Sequence, residues 1–267
     1  MIFTSLIILL CYSLTGYLLY RHLNQASQAS RWKDLSPALL AIAIQAVQLK
    51  MLIYPGDGLL NLGFFTAASL ISWLVSVQIL ISSLYRPLHS LGIVMFPLTG
   101  IAHALAVIMP SAEPLTGVTS QLIQSHIMIS IIAYSLIMLG ALQALTLAIQ
   151  ERAIRNHHPG GFIRFLPPLH DMETLLFQML GFGFVFLSTA LASGFFFVED
   201  LFAQHLVHKT ALSIIGWFIL ATLLFGRYRF GWRGKVAIRW TLTSFAFIML
   251  AYFGSKLVLE FIINTNG

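Results

Sequence analysis

The sequence predicts an all-α fold: a polytopic membrane helix bundle of eight transmembrane helices with both termini on the outer, periplasmic side. Of its 267 residues 58% are hydrophobic and only 9% charged, whereas ordinary globular chains carry about a quarter charged residues. Eight apolar stretches approach or exceed the roughly 20 residues that a helix needs to cross the hydrocarbon core. The basic residues, finally, collect in alternate connections, as they do when Lys and Arg are retained on the cytoplasmic side.

The first span, 2–20, has no basic stretch before its apolar core and no small-residue cleavage site, so it is expected to be retained. It holds Cys11, the one cysteine of the chain, which leaves no internal disulfide and no C-x-x-C pair for thiol exchange or covalent haem attachment. Spans 2 to 4 are expected at 36–54, 64–85 and 90–109, and spans 5 to 8 at 122–149, 174–197, 210–226 and 240–262. Connections are short and no tandem repeat is evident, so residues 1–267 read as a single integral-membrane domain.

Orientation follows from the connections. Arg21, Arg31 and Lys33 follow span 1, Arg86 follows span 3, and Arg152, Arg155 and Arg164 follow span 5. After span 7 comes GRYRFGWRGKVAIRW, 226–240, with Arg227, Arg229, Arg233, Lys235 and Arg239. The opposite connections hold Lys209 as their basic residue, beside Asp57, Glu113, Glu199 and Asp200. The 226–240 stretch would suggest nucleic acid in a soluble protein. Between two apolar spans it reads instead as a cytoplasmic turn whose arginines meet anionic lipid headgroups while Tyr228, Trp232 and Trp240 sit at the interface.

Ionisable groups at membrane depth cost about 2.5–3.5 kcal/mol each on insertion scales. Lys50 lies near the outer end of span 2, where it can snorkel, and Lys256 and Glu260 can pair four residues apart on span 8. Nine histidines are present. His22, His89, His157, His158 and His170 fall near the cytoplasmic face, whereas His103, His126, His205 and His208 gather near the outer face. His103 stands among small residues in TGIAHALAV, which favours packing.

SHIMISIIAYS places His126, Ser130 and Tyr134 on one stripe of span 5. His126 is either a ligand, since neutral imidazole is a common axial ligand of haem iron, or a histidine bonded across helices. The loop VEDLFAQHLVHK, 198–209, has the spacing of a short interfacial helix, either a solvated cap or a lid carrying His205 and His208. No Walker loop, G-x-G-x-x-G, H-E-x-x-H or mid-membrane carboxylate pair occurs, which removes most support for nucleotide-driven, hydrolytic and proton-coupled functions.

Three stretches carry a resemblance: SHIMISIIAYSLIMLGALQALTLAIQER in span 5; LPPLHDMETLLFQMLGFGFVFLSTALASG at 166–194; and 208–258 with Lys209, Trp217, GWRG at 231–234 and AYFGSKLV. Together the sequence resembles the CcsA/CcmC-like cytochrome c assembly family of haem-handling membrane proteins, in particular its eight-span, YpjD-like inner-membrane branch. The resemblance implies haem held at the outer face between two histidines and delivered to apocytochrome c, with His126, Tyr134 and Trp217 matching family positions. It also marks departures. VEDLFAQHLVHK replaces the family's tryptophan-rich loop, and Phe225 and Gln45 stand where family histidines are expected.

His126 with His208 or His205 is the nearest substitute pair of axial ligands, for haem b. The leading reading is therefore a haem-binding, non-enzymatic protein of the bacterial inner membrane, with membrane lipids and apocytochrome c or another assembly protein as partners. The alternative is a non-catalytic partner or regulator of another membrane protein, such as a transporter, that has kept the fold and lost haem chemistry. A transporter in its own right ranks last.

Overall fold

Apolar runs this long leave the backbone no water to bond with, so the chain satisfies its amides within helices. The structure, a computed structural model, describes residues 1–25, 31–56, 59–85, 89–109, 115–116, 121–156, 166–197 and 204–254. Its helices are α1 (Ile2–Gln25), α2 (Arg31–Ile53), α3 (Phe64–Tyr85), α4 (His89–Ile108), α5 (Gln121–Arg155), α6 (Leu169–Phe197), α7 (Gln204–Phe230) and α8 (Gly234–Met249). Among the described residues, eight helices are long and apolar enough to cross a membrane. Two-residue strands β1 (Leu59–Leu60) and β2 (Leu115–Thr116) pair antiparallel between loops.

The observed helices extend past several expected spans because polar residues do not end a helix unless a breaker does. Helix α5 runs six residues beyond 149, carrying Arg152 and Arg155 in its last turn. Helix α6 begins at Leu169 instead of 174, directly after Pro167 and Pro168, with the Pro168 carbonyl accepting from the Asp171 and Met172 amides. Helix α8 starts at Gly234, earlier than the expected 240, and passes into a π-helical turn at Leu250–Gly254. The remainder of the expected span, with Lys256 and Glu260, lies outside the described residues, as do Arg86, His157, His158 and Arg164.

Residues 1–118 and 119–267 form two compact units. In the first, each of α1 to α4 packs on its neighbour in sequence and α4 returns to α1. The α1–α4 contact is close because two glycines permit it. A Cβ at Gly16 would sit 2.9 Å from the Ile93 carbonyl, and one at Gly100 3.0 Å from Leu9 Cα. Tyr12 stacks on Phe96 in this core, ring centroids 5.8 Å apart.

The second unit repeats the scheme with α5 to α8, α8 closing on α5. Leu176, Leu180, Leu220, Leu223 and Ile137 are among the buried residues of its core. Apolar side chains left exposed, such as Phe182, Val185, Phe195 and Phe196 on α6, would be a liability in water and are ordinary against lipid.

Candidate functional site

His126 lies in the second turn of α5, where it meets the last turns of α6. Its ring is close to Gly194: a Cβ built there would lie 3.0 Å from the imidazole Cε1, so glycine leaves the room that the ring occupies. Nδ1 is 2.9 Å from Ser193 Oγ. The Ser193 hydroxyl donates its own hydrogen to the Ala190 carbonyl at 2.9 Å, so Oγ is left to accept from Nδ1–H. In that tautomer Nε2 keeps its lone pair, the arrangement in which a second-shell partner orients a metal-ligating histidine.

Tyr134, two turns further along α5, packs on Tyr252 of the π turn at a centroid distance of 5.4 Å, and its hydroxyl reaches Ser213 of α7. Trp217 of α7 donates its indole N–H to Ser188 Oγ at 2.8 Å and stacks on Phe184, centroids 5.3 Å apart. Ser130, the middle residue of the span-5 stripe, bonds back to the His126 carbonyl at 2.8 Å. Tyr134 and Trp217 thus tie α5, α6 and α7 together one level deeper than His126.

The separate interfacial helix expected at 198–209 is corrected by the structure in its described part. Gln204–Lys209 forms the opening of α7 itself, with no Gly or Pro before Thr210 to end the helix. Residues 198–203 lie outside the described residues. His205 and His208 therefore ride on a transmembrane helix, at the end of α7 that corresponds to the start of α5 and the end of α6. His208 is exposed.

His103 is held differently. It is fully buried in the first unit, with Nδ1 3.0 Å from Ser69 Oγ and Nε2 2.6 Å from Gln48 Oε1. Gln45, at an expected family histidine position, accepts from the Tyr12 hydroxyl at 2.8 Å and donates to Ser69 at 3.3 Å. Gln48 in turn donates to Thr4 Oγ1 and to the Met1 carbonyl. This hydrogen-bonded chain links α1 to α4, and both nitrogens of His103 are engaged in it. Phe225, the other expected histidine position, carries an exposed side chain near the far end of α7.

One cluster escaped the sequence reading, although both of its segments stood out by resemblance. Buried Glu173, in LPPLHDMET, accepts from Arg233 Nε at 2.8 Å and from the Gly234 amide at 2.9 Å. Gly231 and Gly234 have φ of 67° and 53°, a backbone that only glycine adopts without strain, so GWRG turns sharply enough to present Arg233 to α6. A carboxylate at the first amide of α8 also meets the positive end of that helix. The pairing is legible only in space, since 60 residues separate the partners. Among the described residues no group of three or more His, Cys, Asp or Glu side chains is arranged to hold a metal ion.

The profile of the family described as Cytochrome C assembly protein matches residues 32–263. The chain is 31% identical over 262 residues to the inner membrane protein YpjD of Escherichia coli (strain K12), covering 97% of its own length and 98% of that relative's. It is 33% identical over 144 residues, 53% of each chain, to a 28.8 kDa protein of Azospirillum brasilense. Over 155 residues it is 23% identical to the cytochrome c biogenesis protein CcsA of Chlamydomonas reinhardtii, covering 57% of this chain and 43% of the other. No solved structure matches it.

Proposed function

The chain belongs to the cytochrome c assembly protein family as a multi-pass protein of the inner membrane, and from that premise we propose that it binds haem as cargo for cytochrome c assembly. The observation that carries the reading is His126: Nδ1–H bonded to Ser193, Nε2 bearing the lone pair, the ring seated against Gly194.

The donor chemistry suits one axial bond, with His126 Nε2 as ligand and Ser193 orienting the ring. His208, exposed at the corresponding end of α7, supplies the second, with His205 one turn earlier as the alternative. Tyr134 and Trp217 brace the helices that carry them. The cargo is held non-covalently, as haem b is, because a chain with one cysteine has no pair for covalent attachment. Held by two neutral imidazoles the iron would be low-spin, and without a thioether bond to this chain the haem would stay free to pass to apocytochrome c. Handing on is then a matter of binding, without a catalysed reaction.

The His126 end of α5 faces the periplasmic side, an orientation supported by the basic residues at the α5, α7 and α8 ends opposite His126.

The test is an oxidised and reduced absorption spectrum of detergent-purified protein supplied with haem, wild type against His126→Ala, with pyridine haemochrome quantification. A stoichiometric low-spin Soret band lost in the variant is expected. A clean apo spectrum in the wild type would sink the reading and leave a fold reused as a membrane partner, whose neighbour crosslinking would identify.

A further inference from the structure

The last turns of α5 and the first turns of α8 border an open cavity of about 220 Å³ whose four cations are exposed. Arg152 and Arg155 line it from α5, and Lys235 and Arg239 from α8. Spacings of three and four residues put each pair on one helical face, toward the opposite helix. Among the described residues none of these four cations is in an ion pair; those found are His22 with Asp34 and Arg233 with Glu173. Glu151, the one carboxylate of the lining, instead lies toward the start of α8, its Oε2 3.8 Å from where a Cβ on Gly234 would stand.

Four unpaired cations brought together by two helices repel one another, and an anion between them relieves that repulsion. The floor narrows the choice of anion. Ala148 and Ile238 form it, and Ile238 is 7% exposed. The cavity also opens at helix ends, at the level where Trp232 and Trp240 pack together at 5.4 Å, as aromatic side chains do at a membrane boundary. A cationic rim over an apolar floor fits an amphiphile better than a small hydrated ion.

We propose that the α5–α8 cavity binds a phosphate group, supplied by the headgroup of an anionic phospholipid. The phosphate sits among Arg152, Arg155, Lys235 and Arg239, and the glycerol and first methylenes lie along Ala148 and Ile238. Arginine meets phosphate with paired N–H donors, which suits a seated headgroup better than diffuse attraction does. Bound there, the lipid joins α5 to α8. The site stands apart from His126, because the 26 residues separating His126 from Arg152 correspond to about 40 Å of helix.

The experiment titrates the detergent-purified full chain at low salt with short-chain phosphatidylglycerol, phosphatidylcholine or inorganic phosphate, reading bound lipid by native mass spectrometry and the Tm by thermal scan. Wild type should retain a phosphatidylglycerol molecule and gain Tm, with no response to phosphatidylcholine. Arg152→Gln/Arg239→Gln should weaken retention about 25-fold, at about fivefold per cation. Single Arg155→Gln, at an exposed site, should lose about fivefold should the double variant not fold. Arg21→Gln/Lys33→Gln, exposed charges of the first unit, should bind like wild type.

Equal retention by the α5–α8 variants, or an equal loss in the Arg21/Lys33 control, would overturn the site. Inorganic phosphate reproducing the Tm gain at the same concentration would overturn the lipid assignment in favour of free phosphate.

Discussion

His103 and His126 are both membrane histidines bonded to a serine, yet they are held in opposite tautomers. In the first unit the amide of Gln48 is oriented by the Met1 carbonyl, so its Oε1 must accept from His103 Nε2–H, and Ser69 donates to Nδ1. In the second unit Ser193 already donates to Ala190, so it accepts from His126 Nδ1–H. One ring closes a hydrogen-bonded chain across four helices. The other is held from one side with a lone pair left over. A buried histidine therefore says little about function until the hydrogens of its partners are followed to their ends.

The largest difference should appear in haem binding. His126→Ala should abolish the low-spin Soret band of haem-loaded protein, while His103→Ala keeps it; a band lost in both would erase the distinction. Next comes the orienting serine. Ser193→Ala should lower haem affinity about 10- to 100-fold, the usual range for a second-shell partner, measured by haem titration with the fold checked by circular dichroism. Ser69→Ala should leave that affinity unchanged.

Stability should reverse the order. His103→Ala leaves the Ser69 hydroxyl hydrogen and Gln48 Oε1 without their partner, and an orphaned buried group costs about 1–3 kcal/mol. Because side-chain bonds in membranes average nearer 0.6 kcal/mol, a loss of about 1–2 kcal/mol is expected, read as a lower denaturation midpoint. His126→Ala should lose less, since Ser193 keeps its bond to Ala190. The smallest effect belongs to Gly194→Ala: a Cβ 3.0 Å from His126 Cε1 displaces the ring by a few tenths of an ångström. A shifted Soret maximum at nearly unchanged Tm is the expected signature.

The eight helices were legible because hydrocarbon imposes one length and one composition on every span. Their ends were less so. Hydropathy stops at 149 and 226, but α5 and α7 continue to Arg155 and Phe230 through charged residues that helices tolerate well. Lys209 and the histidines before it read in sequence as a separate short interfacial helix for the same reason. His126 was open to two readings in sequence, since one stripe of helix fits a ligand or a packing contact equally, and Ser193 stood out only as one more small residue of α6.

Membrane class, the count of spans and the family follow from the amino-acid order alone, because these depend on composition and on motifs read along the chain. Tertiary structure decided which histidine closes on both nitrogens, that Glu173 meets Arg233, and that four cations of α5 and α8 share a cavity. These are relations between residues 34 to 87 positions apart in the chain, and hydrogen-bond direction, burial and charge repulsion act through distances in space.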